Sequence, residues 1–415
     1  MVRYALTVSA LASSVLGAVP TVNIPLNFAH GGAQKISTEL VDPSTNRTIE
    51  IVVDQGSENF WVFGPDSIRN WGCTRLGCAG PCNETVQPFY DYPNSPSASK
   101  PVPFRSSYSY GGNSKFITGD VAVNDTFQFV SDAGLSSTVD TEVAISSYMT
   151  SRLGDSSGKC TPTSSFDDGI LGISPYYRKP TWNTTGPHVR QNLLEAGAIS
   201  APVQSLWFDE APEGIEDTFT GHVVFGGVDH SKYTGDLVKV PMVEAPFGGV
   251  TLGYYVNPPV VSVNGTAFNN SDIISPTCLV DSGTTLDYLP VSYSQNDQFA
   301  AAAGLVVDEY GVIGWNGTCE SIPKDTTIDL EFTGVEGKKV TVKIPLRTYA
   351  RSGVNPSTGI CSLAFSTGDC LFGAPFATAA FFAADDAAEM VAFAQGGVSK
   401  KGSKPDPNSI TLDLA

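Results

Sequence analysis

Basic residues are scarce in this chain. Its 415 residues include 24 Lys and Arg against 42 Asp and Glu, a formal charge of −18. Such a field repels phosphate backbones and anionic lipid head groups, so we expect no nucleic-acid partner and no membrane partner. Charged residues make up only 16% of the chain and apolar residues 41%, which excludes a disordered protein and a charged coiled coil. The acidity also suits a protein that works at acid pH.

Histidine is rarer still, with four residues, and no second Cys or His cluster accompanies Cys73, Cys78 and Cys82. A tetrahedral zinc site needs four such ligands, so we predict no metal and no other cofactor. The cysteines form an even set, which is typical of disulfides in an exported protein, and their spacing alone does not determine the pairing. The eight are Cys73, Cys78, Cys82, Cys160, Cys278, Cys319, Cys361 and Cys370.

Long apolar runs are absent except at the N-terminus. Arg3 precedes an apolar stretch at 4–16, and small residues follow at 17–18. This order is typical of a secretory signal peptide, so we predict export to the extracellular space, and the polar end at 400–415 carries no anchor signal. Seven Asn-x-Ser/Thr sequons are then expected to accept glycans. They are Asn46, Asn83, Asn124, Asn183, Asn264, Asn269 and Asn316.

Long helical patterns are missing too, because 41 Gly and 28 Pro are scattered along the whole chain. Short apolar–polar alternations, as at 49–53 and 340–346, indicate half-buried strands. Short helices are predicted at 189–198 and in a stretch ending at 300–303. A chain of this length exceeds the size of one hydrophobic core. We therefore predict a mainly β protein of two packed lobes.

Two apolar strands each deliver an aspartate into a glycine-containing turn. The sequence IVVDQGS at 51–57 contains Asp54, and CLVDSGTT at 278–285 contains Asp281. The glycine lets the backbone approach closely, and the following hydroxyl can hydrogen-bond the acid. One such turn is as readily an ordinary Asx turn at the end of a strand, but two copies favour a functional pair. The turn residues are Gly56, Ser57, Gly283 and Thr284.

A second echo follows each aspartate, ILG at 170–172 and LFG at 371–373. The halves are thus versions of one module, and two modules packed about a pseudo-twofold axis would bring the aspartates together. Like charges about 3 Å apart cannot both ionise cheaply, so the pair holds one proton between them. It then offers an acid and a base to a bound water and a peptide carbonyl.

Several ordered motifs resemble those of the pepsin-like aspartic peptidases, from about residue 22 to 395. The stretch DQGSENFWV at 54–62 is similar to the first active-site motif of that family, and YGG at 110–112 to its flap hairpin. FDDGILG at 166–172 is similar to a further family element. VVFGGVD at 223–229, followed by YTG at 233–235 and VP at 240–241, resembles the entry into the second lobe.

The resemblance implies a mainly β, bilobal pepsin-like fold with pseudo-twofold related lobes and an active-site cleft between them. We expect a signal peptide at 1–18, an N-terminal lobe at 19–215, a C-terminal lobe at 216–395 and a polar C-terminal tail at 396–415, of which 396–407 is expected to be loose. The implied protein is a monomeric, secreted aspartic endopeptidase that hydrolyses internal bonds of protein or peptide substrates at acid pH.

The resemblance also assigns roles to residues. Asp54 and Asp281 would be catalytic, and Trp61 would hold the hydroxyl of the flap residue Tyr110. Ser57 and Thr284 would orient the acids, the amides of Gly56 and Gly283 would hydrogen-bond them, and Gly111 would belong to the flap. Cys319 would pair with Cys361. One bridge is expected within Cys73, Cys78 and Cys82, and the partners of Cys160, Cys278 and Cys370 stay open.

The chain departs from the family pattern at several positions. Gln55 replaces the usual Thr, Glu58 a small hydroxyl residue, and Ala374 an Asp; Ser282 is a milder change. A basic prosegment is also missing from 18–54. These departures leave a second hypothesis open, a non-catalytic binding or inhibitor-like protein on the pepsin scaffold.

A third hypothesis is a serine hydrolase, because GDSSG at 154–158 fits the G-x-S-x-G pattern. That stretch lacks the preceding strand and following helix of a nucleophile elbow, so we interpret it as a surface loop. The four histidines, His30, His188, His222 and His230, are interpreted as surface or structural residues.

Overall fold

A computed structural model describes residues 19–29, 35–74, 77–111, 115–151, 168–175, 187–246, 253–308, 311–354 and 358–414. The predicted signal peptide, the GDSSG stretch, Asn183 and Cys160 lie outside the described residues.

The described chain is built mainly of short strands, as predicted. Those of the first half are β1 Val22–Phe28, β2 Ile36–Val41, β3 Thr48–Asp54, β4 Phe60–Thr74, β5 Gly77–Thr85, β6 Val102–Tyr110, β7 Lys115–Ser131, β8 Gly134–Leu135, β9 Val139–Ser151, β10 Gly169–Gly172, β11 Val203–Phe208 and β12 Phe219–Phe225. Those of the second half are β13 Val228–Asp229, β14 Thr234–Pro241, β15 Tyr254–Val256, β16 Val260–Val263, β17 Thr266–Phe268, β18 Cys278–Val280, β19 Asp287–Leu289, β20 Val306–Val307, β21 Ile313–Asn316, β22 Thr327–Thr333, β23 Lys339–Pro345, β24 Ala350–Val354, β25 Ile360–Leu363, β26 Phe365–Thr367, β27 Leu371–Phe372, β28 Ala380–Asp385, β29 Met390–Gln395 and β30 Ile410–Thr411.

Three short α-helices interrupt the strands: α1 Val189–Glu195, α2 Asn296–Ala302 and α3 Ala374–Ala379. The first two lie inside the predicted helical segments. The third was not predicted, because its six residues are too few to show a helical period.

A sheet shared by the two halves joins the lobes. Its strands run in the order β14-β29-β28-β11-β12-β1 and continue through β2 and β3 into the N-terminal half. Every residue of β11 and β12 is buried, because both faces of this sheet are covered. The predicted lobe boundary at 215/216 falls between these two adjacent strands. The mainly β, bilobal pepsin-like fold is confirmed.

The echoed tripeptides are the strands that lie beside the acid strands. In the first half β10 pairs in parallel with β3, which sets Gly172 opposite Asp54. In the second half β27 pairs in parallel with β18, which sets Phe372 opposite Val280. The amide of Asp281 donates to the carbonyl of Phe372 at 2.8 Å. The two halves therefore deliver their acids from equivalent frameworks.

Glycine ends both echoed tripeptides for a steric reason. A Cβ atom on Gly172 would lie 2.5 Å from the Asn59 amide nitrogen and 2.7 Å from the Ser57 carbonyl oxygen. A Cβ atom on Gly373 would lie 2.6 Å from the carbonyl oxygen of Thr284. Backbone crosses backbone at both points, so only glycine allows the acidic turn to pass so closely.

The expectation of a loose C-terminal tail is wrong. β30 pairs with β13, and the amide of Asp406 donates to Asp229 Oδ2 at 2.7 Å. The buried ammonium of Lys232 donates to the Lys404 carbonyl at 2.6 Å. The segment looked polar because much of its docking satisfies buried polar groups. The apolar residues that it packs on the core, Ile410 and Leu414, are too few to leave a hydrophobic period in the sequence.

Two disulfides lie in the second half. Cys319 is bonded to Cys361, the pair that the resemblance implied. Cys278 is bonded to Cys370, a pairing left open by the sequence. The second bridge joins the first residue of β18 to the residue just before β27, so it closes a loop of 92 residues at the base of the Asp281 turn.

Six of the seven sequon asparagines belong to the described chain, and all six are exposed. They are Asn46, Asn83, Asn124, Asn264, Asn269 and Asn316. Among the helices described above, none is both long and apolar enough to cross a membrane.

Candidate active site

Asp54 and Asp281 meet between the two halves. Asp54 ends β3 and Asp281 directly follows β18, and their carboxyl groups share a hydrogen bond. Each turn glycine lies against the aspartate of the other half, since a Cβ atom on Gly56 would lie 2.5 Å from Asp281 Oδ1 and one on Gly283 would overlap Asp54 Oδ1. Any side chain at either glycine would push the two acids apart.

Each aspartate accepts the same two hydrogen bonds from its own turn. Oδ1 accepts from the amide of the glycine two residues later, and Oδ2 accepts from the hydroxyl three residues later. Because both halves repeat this pattern, the acids are held in matching orientations. The donors are Gly56 N at 2.8 Å and Ser57 Oγ for Asp54, and Gly283 N at 3.0 Å and Thr284 Oγ1 at 2.7 Å for Asp281.

Burial raises the pKa of Asp54 well above its usual value, and the charge of Asp281 and the hydrogen bond between the two carboxyls raise it further. The hydrogen bonds from Ser57 and Gly56 favour the ionised form and oppose this shift, but they are the smaller contributions. The pair therefore holds a proton in mildly acidic solution. That proton belongs to the pair rather than to one residue.

Ser282 ties the two acid turns together across the interface. Its hydroxyl donates to the Val53 carbonyl at 2.7 Å and accepts from the Gln55 amide N–H at 3.0 Å. The long side chain of Gln55 fits into the tight loop, where the residue is 1% exposed, but its Nε2 has no hydrogen-bond partner. The hydroxyl that joins the two turns therefore comes from Ser282, and Gln55 contributes its backbone N–H, because its side chain has no hydroxyl.

Replacing Ser282 with Ala should lower the free energy of unfolding by about 2 kcal/mol. The change leaves the buried Val53 carbonyl and Gln55 amide without partners, and each unsatisfied group costs about 1–3 kcal/mol. Urea unfolding followed by tryptophan fluorescence measures the loss. Ser366→Ala, at an exposed position of β26, is the control and should stay within about 0.5 kcal/mol of the parent. A Ser282→Ala protein as stable as the parent would show that the tether contributes nothing.

The hairpin of β6 and β7 lies over the pair. The indole N–H of Trp61 donates to the hydroxyl of Tyr110 at 3.0 Å, as the resemblance implied. Trp61 is fully buried and packs edge-to-face on Phe63, so it is both a core residue and a donor to the hairpin. Gly111 follows at the hairpin tip with φ of 55°, a left-handed conformation that favours glycine.

A pocket of about 240 Å³ opens between this hairpin and the acids. Both aspartates and most of the proposed supporting and flap residues line it, but Ser57 and Trp61 do not. The sequence did not single out Val52, Ser109 or Lys115 for the site, and Ile170 was noted there only as part of an echoed tripeptide. Its lining is Val52, Asp54, Gly56, Ser109, Tyr110, Gly111, Lys115, Ile170, Asp281, Gly283 and Thr284. Cys319 and Cys361 are not part of this lining.

Sequence analysis missed one acid close to the site. Asp287 begins β19 and is fully buried. Its Oδ1 accepts from the Gly373 amide at 2.6 Å, and its Oδ2 accepts from the Tyr349 hydroxyl at 2.8 Å. Burial raises its pKa to about 7, although these hydrogen bonds pull the value down. A carboxylate in an otherwise apolar strand is the signal that could have marked it.

The described histidines have structural surroundings. His188 caps α1, and burial lowers its pKa to about 3. His222 is buried in β12 with a pKa lowered to about 4 by burial, and His230 hydrogen-bonds Tyr233. None of these three lines the pocket over the acids. In the ranges that the structure describes, no three His, Cys, Asp or Glu residues gather into a possible metal site.

Comparisons with known proteins agree with this geometry. Residues 43–396 match the family model of the eukaryotic aspartyl proteases. Candidapepsin of Candida tropicalis is 30% identical over 183 residues, which cover 44% of this chain and 40% of that protein. Secreted aspartic protease 5 of Candida albicans is 24% identical over 333 residues, 78% of this chain and 67% of that protein.

A relative whose name places it in the vacuole also matches. Vacuolar protease A of Arthroderma otae is 25% identical over 305 residues, 71% of this chain and 61% of that protein. The chain spans between 40% and 67% of the length of these three relatives. The family model covers most of the chain, so the family assignment does not depend on any one of these relatives. The chain belongs to the eukaryotic aspartyl protease family.

Proposed function

We propose that this protein is an aspartic endopeptidase that hydrolyses internal peptide bonds at acid pH. The observation that carries the proposal is the hydrogen-bonded pair of Asp54 and Asp281, held in matching orientations beneath a hairpin. Protein or peptide substrates follow from the family, and the open pocket beneath Tyr110 is suited to an extended peptide.

The chemistry needs only the pair and one water. The ionised member takes a proton from a water held between the carboxyls, while the protonated member donates to the scissile carbonyl oxygen. The water oxygen attacks the carbonyl carbon, and a proton then passes to the leaving nitrogen as the C–N bond breaks. The pair must hold one proton, so activity falls when rising pH ionises both acids.

The neighbouring residues support this role. Gly56, Ser57, Gly283 and Thr284 orient the two carboxyls, and Trp61 and Tyr110 hold the hairpin over the reacting bond. We further propose that the protein is secreted, which fits the predicted signal peptide, the exposed sequons, the disulfides and the secreted relatives. We also propose that the four cysteines outside the two described disulfides form disulfides, and that the sequon asparagines carry glycans.

Acid hydrolysis of denatured haemoglobin by the purified full chain tests the proposal. We expect cleavage between about pH 3 and 5 that pepstatin blocks and EDTA leaves unchanged, because the chemistry uses no metal. An activity abolished by EDTA would contradict the mechanism. Absence of pepstatin-sensitive cleavage at every pH would instead favour the alternative, a binding or inhibitor-like protein on the same scaffold.

A further inference from the structure

A second pocket, here called the side pocket, lies next to the pocket over the acids. It has a volume of about 220 Å³ and shares Gly56, Ser109 and Tyr110 with that pocket. A peptide bound across the acids therefore extends into the side pocket within a residue or two of the scissile bond. Its lining is Gly56, Ser57, Glu58, Asn59, Ser107, Tyr108, Ser109 and Tyr110.

The side pocket contains a carboxylate without a cation. Glu58 is partly buried and forms no ion pair within the described residues, and burial raises the pKa of its carboxyl. A partly desolvated, unpaired carboxylate is costly for a protein to keep. Glu58 stands where the family has a small hydroxyl residue, so the cost arises from this chain's own sequence.

A second polar group in the side pocket lacks a partner. The hydroxyl oxygen of Tyr108 is buried and makes no hydrogen bond, although Tyr108 interacts electrostatically with Glu58. Buried hydroxyls are rarely left unpaired, and those that are often await a ligand or a water. Glu58 and Tyr108 together offer an anionic and a neutral acceptor to an incoming donor.

The titratable groups that act on the tyrosines of the side pocket are acidic, and Lys115, which pairs with Tyr110 across the hairpin, lines the adjoining pocket and not this one. Glu142 acts electrostatically on Tyr108 from β9, and Asp54 acts on Tyr110 from β3. Burial raises the pKa values of both tyrosines, so they stay neutral in acid. No Lys or Arg appears in the lining. The field inside the side pocket therefore attracts a cation.

We propose that the side pocket binds a lysine or arginine side chain of the substrate, which makes Glu58 a specificity-determining residue. This inference rests on the proposed function. The substrate ammonium or guanidinium would donate to the Glu58 carboxylate and to the Tyr108 hydroxyl, which satisfies both groups at once.

The test uses matched peptide pairs that differ only by Lys or norleucine at one position, scanned over the four positions on each side of the cleaved bond. At one position the full chain should cleave the Lys peptide with a kcat/KM about tenfold above that of the norleucine peptide. Glu58→Gln should reduce that ratio to about one. Glu320→Gln, an exposed glutamate in the second half, should keep the parent ratio. An equal ratio in parent and Glu58→Gln at every position would overturn the proposal.

The pH dependence of the same ratio gives a second readout. Lysine stays charged throughout, whereas Glu58 ionises with a raised pKa, so the ratio should increase as pH rises through that pKa. Titration of the Asp54–Asp281 pair affects both peptides alike and cancels. A parent ratio independent of pH between about 3 and 6.5, like that expected for Glu58→Gln, would contradict a role for the carboxylate.

A binding measurement distinguishes failure of this inference from failure of the proposed function. The Asp281→Asn protein keeps the side pocket, so fluorescence anisotropy with labelled peptides reports binding without cleavage. A preference for Lys over norleucine that Glu58→Gln removes would support the side pocket even if the parent never hydrolysed a peptide. Cleavage of peptides without any such preference in binding or in kcat/KM would refute the inference while leaving the peptidase intact.

Discussion

Asp281→Asn should abolish peptide hydrolysis and leave the protein folded. The amide cannot ionise or share the proton of the pair, so Asp54 loses the partner with which it divides the acid and base roles. The loss in kcat should be at least about 10³-fold. The variant keeps an acceptor for the Gly283 amide, which is 3.0 Å from Asp281 Oδ1. Rates on denatured haemoglobin at acid pH provide the measurement.

The stability of the same variant separates lost chemistry from lost structure. The charge of Asp281 raises the pKa of Asp54, so removing that charge eases ionisation of Asp54. The melting temperature above about pH 5 should therefore equal or exceed that of the parent. Asp132→Asn, at an exposed position beyond β7, is the control and should keep full activity. Residual hydrolysis within tenfold of the parent would refute the mechanism.

Asp287→Asn should remove much of the loss of stability that we expect the protein to show between pH 4 and pH 7. Burial raises the pKa of Asp287 to about 7 in the folded protein, above the ordinary value of 3.8 for this side chain. The unfolded chain therefore releases this proton first, and the stability present below about pH 3.8 is lost as pH rises through about 7. This difference in pKa corresponds to a loss of at most about 4 kcal/mol in the free energy of unfolding.

An asparagine at this position mimics the protonated acid at every pH. Its Oδ1 can still accept from the Gly373 amide, and its Nδ2 can donate to the Tyr349 hydroxyl. Asp287→Asn should match its parent near pH 4 and exceed it in unfolding free energy near pH 7. Both proteins should carry Asp281→Asn, which prevents self-digestion and leaves only Asp54 of the pair to titrate, in the same way in both proteins.

Urea unfolding at pH steps from 4 to 8 measures this difference. Asp132→Asn in the same background should retain the full slope with pH, because that carboxylate is exposed. The account of Asp287 fails if the Asn variant loses stability with pH as steeply as its parent. If the Asn variant behaves as expected, the buried carboxyl of Asp287, and not the acid pair alone, is a reason why the folded protein is more stable at acid pH.

Local patterns were enough to predict the acid turns. The strand before each aspartate and the glycine and hydroxyl after it are adjacent in sequence, so their mutual hydrogen bonds follow from short-range geometry. The echoed tripeptides predicted that the halves are versions of one module, and the structure shows that each tripeptide pairs with the strand of its own acid. The hydrogen bond from Trp61 to Tyr110 followed from the family resemblance alone.

Contacts between distant segments left no local signal. The bond between Cys278 and Cys370 depends on the register of β18 against β27, and eight cysteines allow roughly a hundred pairings. The raised pKa of Asp287 requires a buried site that Gly373, 86 residues later, helps to complete. The docked C-terminal segment depends on buried charged groups far from it in sequence, such as Lys232 in the turn between β13 and β14.

The amino-acid sequence by itself determined the class of fold, the two acidic turns and the residues that hold each carboxylate, because each of these is a property of a few consecutive residues or of their repetition. The tertiary structure decided that the two turns touch, that the Ser282 hydroxyl joins them by hydrogen bonds, and that Glu58 and Tyr108 share one pocket. The contact between the turns depends on how the two halves pack across an interface, and the shared pocket depends on how β6 packs beside the turn after β3. Burial and distance then set the charge of each acid, and neither can be read from a stretch of consecutive residues.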